Sequence, residues 1–145
     1  MIQGIIQAVS NLILSKYPGY PIYLEDLQEG FDRPSFYVPF IQETQTDQNK
    51  AFYARNIIIY IIFYAPLGGN NNPDKEAQYG VYETLRDLFS SGYFKVGDRA
   101  VKIRQLTGGP KGKEIYLGLN LDLTGSRQPS EQGDIAGSLE LKFDL

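Results

Sequence analysis

The run GGPKGK at residues 108–113 is the stretch that most resembles a chemical motif. Glycines beside a lysine cradle phosphates when backbone amides and a helix N-terminus converge, which needs G-x-x-x-x-G-K-[ST] between a strand and a helix. Here the interval from Gly108 to Gly112 is one residue short, Lys113 is followed by Glu114, and a strand pattern comes next. The expectation is a β-turn with a solvated tip. Carboxylates cluster twice, at Glu25, Asp26, Glu29 and Asp32 and at Glu131, Asp134, Glu140 and Asp144. Acid–base work needs two carboxyls held apart in contrasting environments, and nothing in either spacing indicates that. The chain has no histidine and no cysteine. The commonest general base at neutral pH, thiol nucleophiles and thiolate metal sites are therefore missing. No S-x-x-K or G-x-S-x-G run is present to organise a serine nucleophile. No catalytic, cofactor or metal residue is assigned and the chain is read as a non-enzyme. A small hydrolase or nucleotide-binding domain is the alternative from another class.

The basic residues are less evenly spread. Arg99, Lys102, Arg104, Lys111 and Lys113 fall within one hairpin region. Without interleaved aromatics they make a thin nucleic-acid footprint. Two readings stay open, a solvated hairpin or a patch complementary to the acidic stretch 25–32 or the C-terminal segment. A basic surface on one side and an acidic one on the other is what a head-to-tail ring requires, since each subunit then presents two different faces.

The elements that must position these residues are organised around FYARNIIIYIIFYA, residues 52–65. Its apolar run from Ile57 to Ala65 is too short to span a membrane as a helix. Rich in Ile, it suits a pleated sheet. A continuous apolar run points side chains to both faces, so both need cover, with helices on one side and more chain or another subunit on the other. The 145 residues form one domain's length, 42% hydrophobic and 21% charged with a net charge of −3, an ordinary globular profile. The N-terminus lacks a basic leader, so secretion is not expected and no membrane partner is assigned.

Ile2, Ile5, Ile6, Val9, Leu12 and Ile13 keep helical spacing and predict a helix over 2–16, stopped by Pro18 and Gly19. Strands are expected at Ile22–Glu25 and in SFYVPFIQET, with an edge position or bulge at Pro39, then a connection over 43–50. Asn72 as cap and Pro73 as first helical residue predict a second helix to about Ser90, with Ala77, Val81, Leu85, Leu88 and Phe89 buried. YFKV and RAVKIRQL flank a Gly97–Asp98 hairpin turn, and GGPKG is a second turn. EIYLGLNLDLT alternates, with Ile115, Leu117, Leu119, Leu121 and Leu123 inside and Tyr116, Gly118, Asn120 and Asp122 on a wet face.

The fold expected is α+β, two helices on a mixed or mainly antiparallel sheet in the order α-β-β-β-α-β-β-β. Residues 1–124 make the domain and 125–145 an extension, a linker over 125–137 and a last strand carrying Leu139, Leu141 and Phe143 on one side. That strand can pair at home or on a neighbour.

Glu25, Asp26, Gly30, Pro34 and Phe36 form an E-D-x-x-x-G-x-x-x-P-x-F pattern. With the N-terminal amphipathic helix and the strand around Arg55–Tyr64, it resembles the tail terminator proteins of long-tailed bacteriophages and prophages over residues 1–124. The resemblance implies a homo-oligomeric ring, typically a hexamer, on the head-proximal end of the tail tube. Such a ring stops tube polymerisation and offers a docking face to a head-completion protein, and DNA passes its lumen without specific binding. It also implies assembly in the host cytoplasm, a place in the virion, and no catalytic residues. A head–tail connector or neck protein is the alternative within assembly. The residues expected at subunit or partner interfaces are Arg99, Lys102, Arg104, Lys111, Lys113, Glu25, Asp26, Glu29, Asp32, Leu139, Leu141 and Phe143.

Overall fold

A computed structural model describes residues 1–25, 30–47, 52–128 and 140–142. Helix α1 (Ile2–Lys16) and helix α2 (Lys75–Leu88) pack on one face of an eight-stranded sheet. Its strands are β1 (Ile22–Tyr23), β2 (Ser35–Tyr37), β3 (Phe40–Asp47), β4 (Phe52–Tyr64), β5 (Tyr93–Val96), β6 (Arg99–Lys111), β7 (Glu114–Gln128) and β8 (Glu140–Lys142). The order is β1-β2-β4-β7-β6-β5, with β3 also on β4 and β8 also on β7. Among the described residues only β1 and β2 pair in parallel, so the sheet is mixed and mainly antiparallel, the α+β architecture expected.

The apolar run is the central strand. Ile57, Ile59, Ile61 and Phe63 of β4 are buried with Ile115, Leu117, Leu119, Leu121 and Leu123 of β7, which pair with β4 in register. Ile5, Val9 and Ile13 of α1 and Val81 and Leu85 of α2 close over them. Each such side chain contributes roughly 1.5–3 kcal/mol when removed from water, so this layer dominates the stability. Tyr17, Tyr20, Phe36 and Phe63 stack at the C-terminal end of α1 with centroids 5.0–6.5 Å apart.

Several local expectations are corrected. SFYVPFIQET is two strands, because Pro39 has no N–H to give; its carbonyl instead accepts from the Tyr60 amide at 3.1 Å. After a bulge between Phe40 and Gln42, β3 continues to Asp47, so 43–47 are strand rather than connection. The cap of α2 is Asp74, whose carboxylate accepts from the Glu76 and Ala77 amides at 3.0 and 3.3 Å, and the helix starts at Lys75. GGPKG is not one turn. Gly108 to Lys111 are strand opposite Leu117 to Glu114, and only Gly112–Lys113 turn, with Gly112 at φ +63°. Below Lys102, β6 has no further strand beside it among the described residues, so Pro110 sits where a missing donor costs the ladder little. Gly125 to Gln128 continue β7 rather than opening a linker, since Gly125 and Ser126 still pair with Tyr53 and Phe52.

The last strand pairs within its own chain, Glu140–Lys142 against Ser126–Gln128. Leu141 lies opposite Arg127. Leu139 and Phe143 lie outside the described residues.

Candidate assembly surfaces

Alternation along β4 and β7 sends a second set of side chains to the face away from the helices. Ile58, Tyr60, Tyr116, Asn120 and Asp122 are half-buried there, so this face is drier than the wet surface expected. The cover is partly its own: the Tyr60 and Tyr116 rings lie 4.7 Å apart, and the Lys111 ammonium stands 5.9 Å from the Tyr60 ring centre. Farther up, the Asn56 amide donates to Asn120 Oδ1 and, at 3.1 Å, to Asp122 Oδ1, tying β4 to β7 across the face. Arg104 sits in a bulge between Ile103 and Gln105 and approaches Asp122 at 3.7 Å while 63% exposed, a contact worth little in water.

Arg33 holds the acidic β1–β2 region to the end of β7. It donates to both Glu114 carboxylate oxygens, at 3.3 and 2.7 Å, and to the Ala65 carbonyl at 2.8 Å. Its guanidinium also lies over the Phe31 and Tyr64 rings, at 5.2 and 5.4 Å. A two-toothed contact of this kind fixes geometry as well as charge. Burial, reinforced by the Glu114 charge and opposed by Arg33, pushes the Tyr64 hydroxyl above its usual range. On the helix-side face, Arg55 of β4 is buried and paired with Glu43 of β3.

The expected interface residues separate into two groups by position. Glu25 and Asp32 are exposed beside β1, one edge of the sheet, and Asp26 and Glu29 lie outside the described residues. The Asp32 amide donates to the Tyr23 hydroxyl at 3.2 Å. The basic residues all belong to β6 or its turn, next to the other edge. They do not form one patch. Arg99, Lys102 and Arg104 sit at one end, where the Arg99 guanidinium donates to the Thr124 carbonyl at 3.0 Å. Lys111 and Lys113 sit at the other end, about 30 Å from Lys102 at the rise of an extended strand. The Lys113 carbonyl accepts from the Gln78 side chain at 2.8 Å, which anchors the turn to α2.

None of this geometry is that of an active site. GGPKGK leads from strand to strand, and among the described residues no group of three or more acidic residues could hold a metal ion. No described helix is long and apolar enough to cross a membrane. The sequence matches the family model described as phage tail terminator protein over residues 4–132. The chain belongs to the phage tail terminator family. That family is structural rather than enzymatic, and its members are components of the virion tail. No curated protein matches the chain closely enough to report.

In this tail terminator the interactions that tie the sheet together are the ones sequence reading missed. Arg55 interrupts an otherwise apolar strand with a charge, and a buried charge demands a partner. That signal was visible, whereas its partner Glu43 depends on pairing across β3 and β4. Arg33 and Glu114 are 81 residues apart, and no local spacing announces such a pair.

Proposed function

We propose that this tail terminator acts as a closed ring, a hexamer in the family's usual manner, seated on the head-proximal end of the tail tube. It stops addition of tube subunits by occupying their docking surface, and its outer face receives the head-completion protein. DNA passes through its lumen without base-specific contact, and the ring assembles in the host cytoplasm before it joins the virion. The observation that carries this reading is the sheet's polarity, acidic residues beside the β1 edge and basic residues spread along β6 toward the opposite side of the sheet, in a chain of this family. Two unlike, complementary surfaces per subunit favour head-to-tail closure over two-fold pairing.

Native mass spectrometry of the full chain, joined to a capping assay on growing tail tubes, tests it. A discrete ring that arrests tube growth is expected. A strict monomer that leaves tube growth unaltered defeats the reading, and a ring that binds portal-side protein but not tube transfers it to the neck.

A further inference from the structure

We infer that neighbouring copies join edge to edge, the outer side of β3 pairing with the outer side of β5 of the next copy, so that one sheet crosses each subunit boundary. This rests on the ring reading and names the surfaces that close it.

Among the described residues β3 pairs with β4 alone, which leaves its outer side an open edge. All eight of its residues are exposed, and no proline or lysine interrupts them. Phe40 and Ile41 are 41% and 43% exposed. Soluble proteins normally blunt such an edge with lysine, proline or a covering element, because its unpaired N–H and C=O groups recruit another strand. The bulge at its start leaves Gln42 to Asp47 in regular pairing with β4.

Three observations select β5 as the mate. The first is direction. Strand β3 runs antiparallel to β4, and three further antiparallel steps through β7 and β6 bring β5 into the same sense as β3. Rotation about an axis along the strands preserves sense, so the two edges meet as a parallel pair, whereas a two-fold β3–β3 contact would be antiparallel.

The second is height. A cyclic operation has rotation and no rise, so with the strands along the ring axis the two edges that close the ring must be level. Thr44, Asn56, Asp122, Lys102 and Tyr93 are successive partners in one row across the sheet. Thr44 on β3 and Tyr93 on β5 are therefore the two ends of a single row.

The third is charge. Strand β3 is acidic, with Asp47 and with Glu43, whose charge Arg55 of β4 already meets in part, and it has no cation; β5 carries Lys95 and no anion. A β3–β3 contact would set carboxylates against carboxylates, which is unfavourable, while β3–β5 sets unlike edges together.

The chain has no cysteine, so a pair can be introduced cleanly. Full-length protein carrying Thr44→Cys and Tyr93→Cys, both at exposed positions, is oxidised or treated with a short bis-maleimide. Adjacent strands lie about 4.8 Å apart, within disulfide reach. Matched circular dichroism and thermal unfolding establish that the variant folds, and native mass spectrometry of the unoxidised protein reads the ring. A ladder of covalent oligomers ending at the ring's own stoichiometry, with neither single variant giving one, is expected. Rings without a ladder, or covalent dimers from Thr44→Cys alone, overturn the edge pairing and leave the ring reading standing. Absence of both rings and cross-links overturns the two together.

Discussion

Gly108 shows how a single residue type can be fixed by an approach from outside its own strand. A Cβ built there would stand 2.4 Å from Tyr82 Cε1 and 2.5 Å from the Tyr82 hydroxyl of α2, and 2.7 Å from the Tyr116 carbonyl oxygen. The glycine thus lets helix α2 come down onto β6. Gly108→Ala is expected to lower stability by about 1–3 kcal/mol, the usual cost of overpacking, read as a lower urea midpoint at unchanged slope. Adding Tyr82→Ala removes the larger overlap, so the double variant is expected to lose clearly less than the sum of the two singles. Additive losses would show that Tyr82 is not what fixes the glycine. From sequence, Gly108 reads as a turn residue, since glycine–glycine–proline is turn chemistry. Its real constraint comes from a side chain 26 positions earlier, across the helix–sheet interface.

Elements were legible in proportion to how far local pattern alone determines them. Helix α1 follows its apolar spacing from Ile2 to Lys16, and the β7 alternation buries the five residues it predicts. Ends and turns were less legible because neighbouring residues compete for one role. In Asn72-Pro73-Asp74 both Asn72 and Asp74 can cap a helix. Asp74 does so, and its amide donates to the Pro66 carbonyl at 2.9 Å, tying the helix start to the end of β4. Asp74→Ala is expected to cost about 0.5–2 kcal/mol, whereas Asn72→Ala leaves the α2 cap bonds intact and costs less. Chemical denaturation of the two variants side by side checks the assignment, and the reverse order would return the cap to Asn72. Strands assembled from remote segments were the least legible. Periodicity shows that β4 needs two neighbours without showing that β2 and β3 share one of its sides.

At the scale of the whole molecule, the small net charge of −3 conceals a separation. Glu25 and Asp32 lie by one edge of the sheet, and Lys102, Arg104 and Lys111 lie along a strand next to the other. The acidic and basic stretches were visible in sequence, but opposite placement follows only from the strand order. Electrostatic attraction between exposed edges is screened over about 10 Å at 0.1 M salt and about 3 Å at 1 M. Burial of apolar surface, by contrast, is not weakened by ordinary salt. If unlike edges hold copies together, raising salt across that range at fixed protein concentration should lower the ring fraction several-fold. The unfolding midpoint of the subunit should barely move, because the fold is held by a buried apolar layer. Sizing by light scattering beside thermal unfolding separates the two responses. A ring that persists or strengthens with salt would show that apolar contacts such as those offered by Phe40 and Ile41 dominate the boundary, with charge setting only which edge meets which.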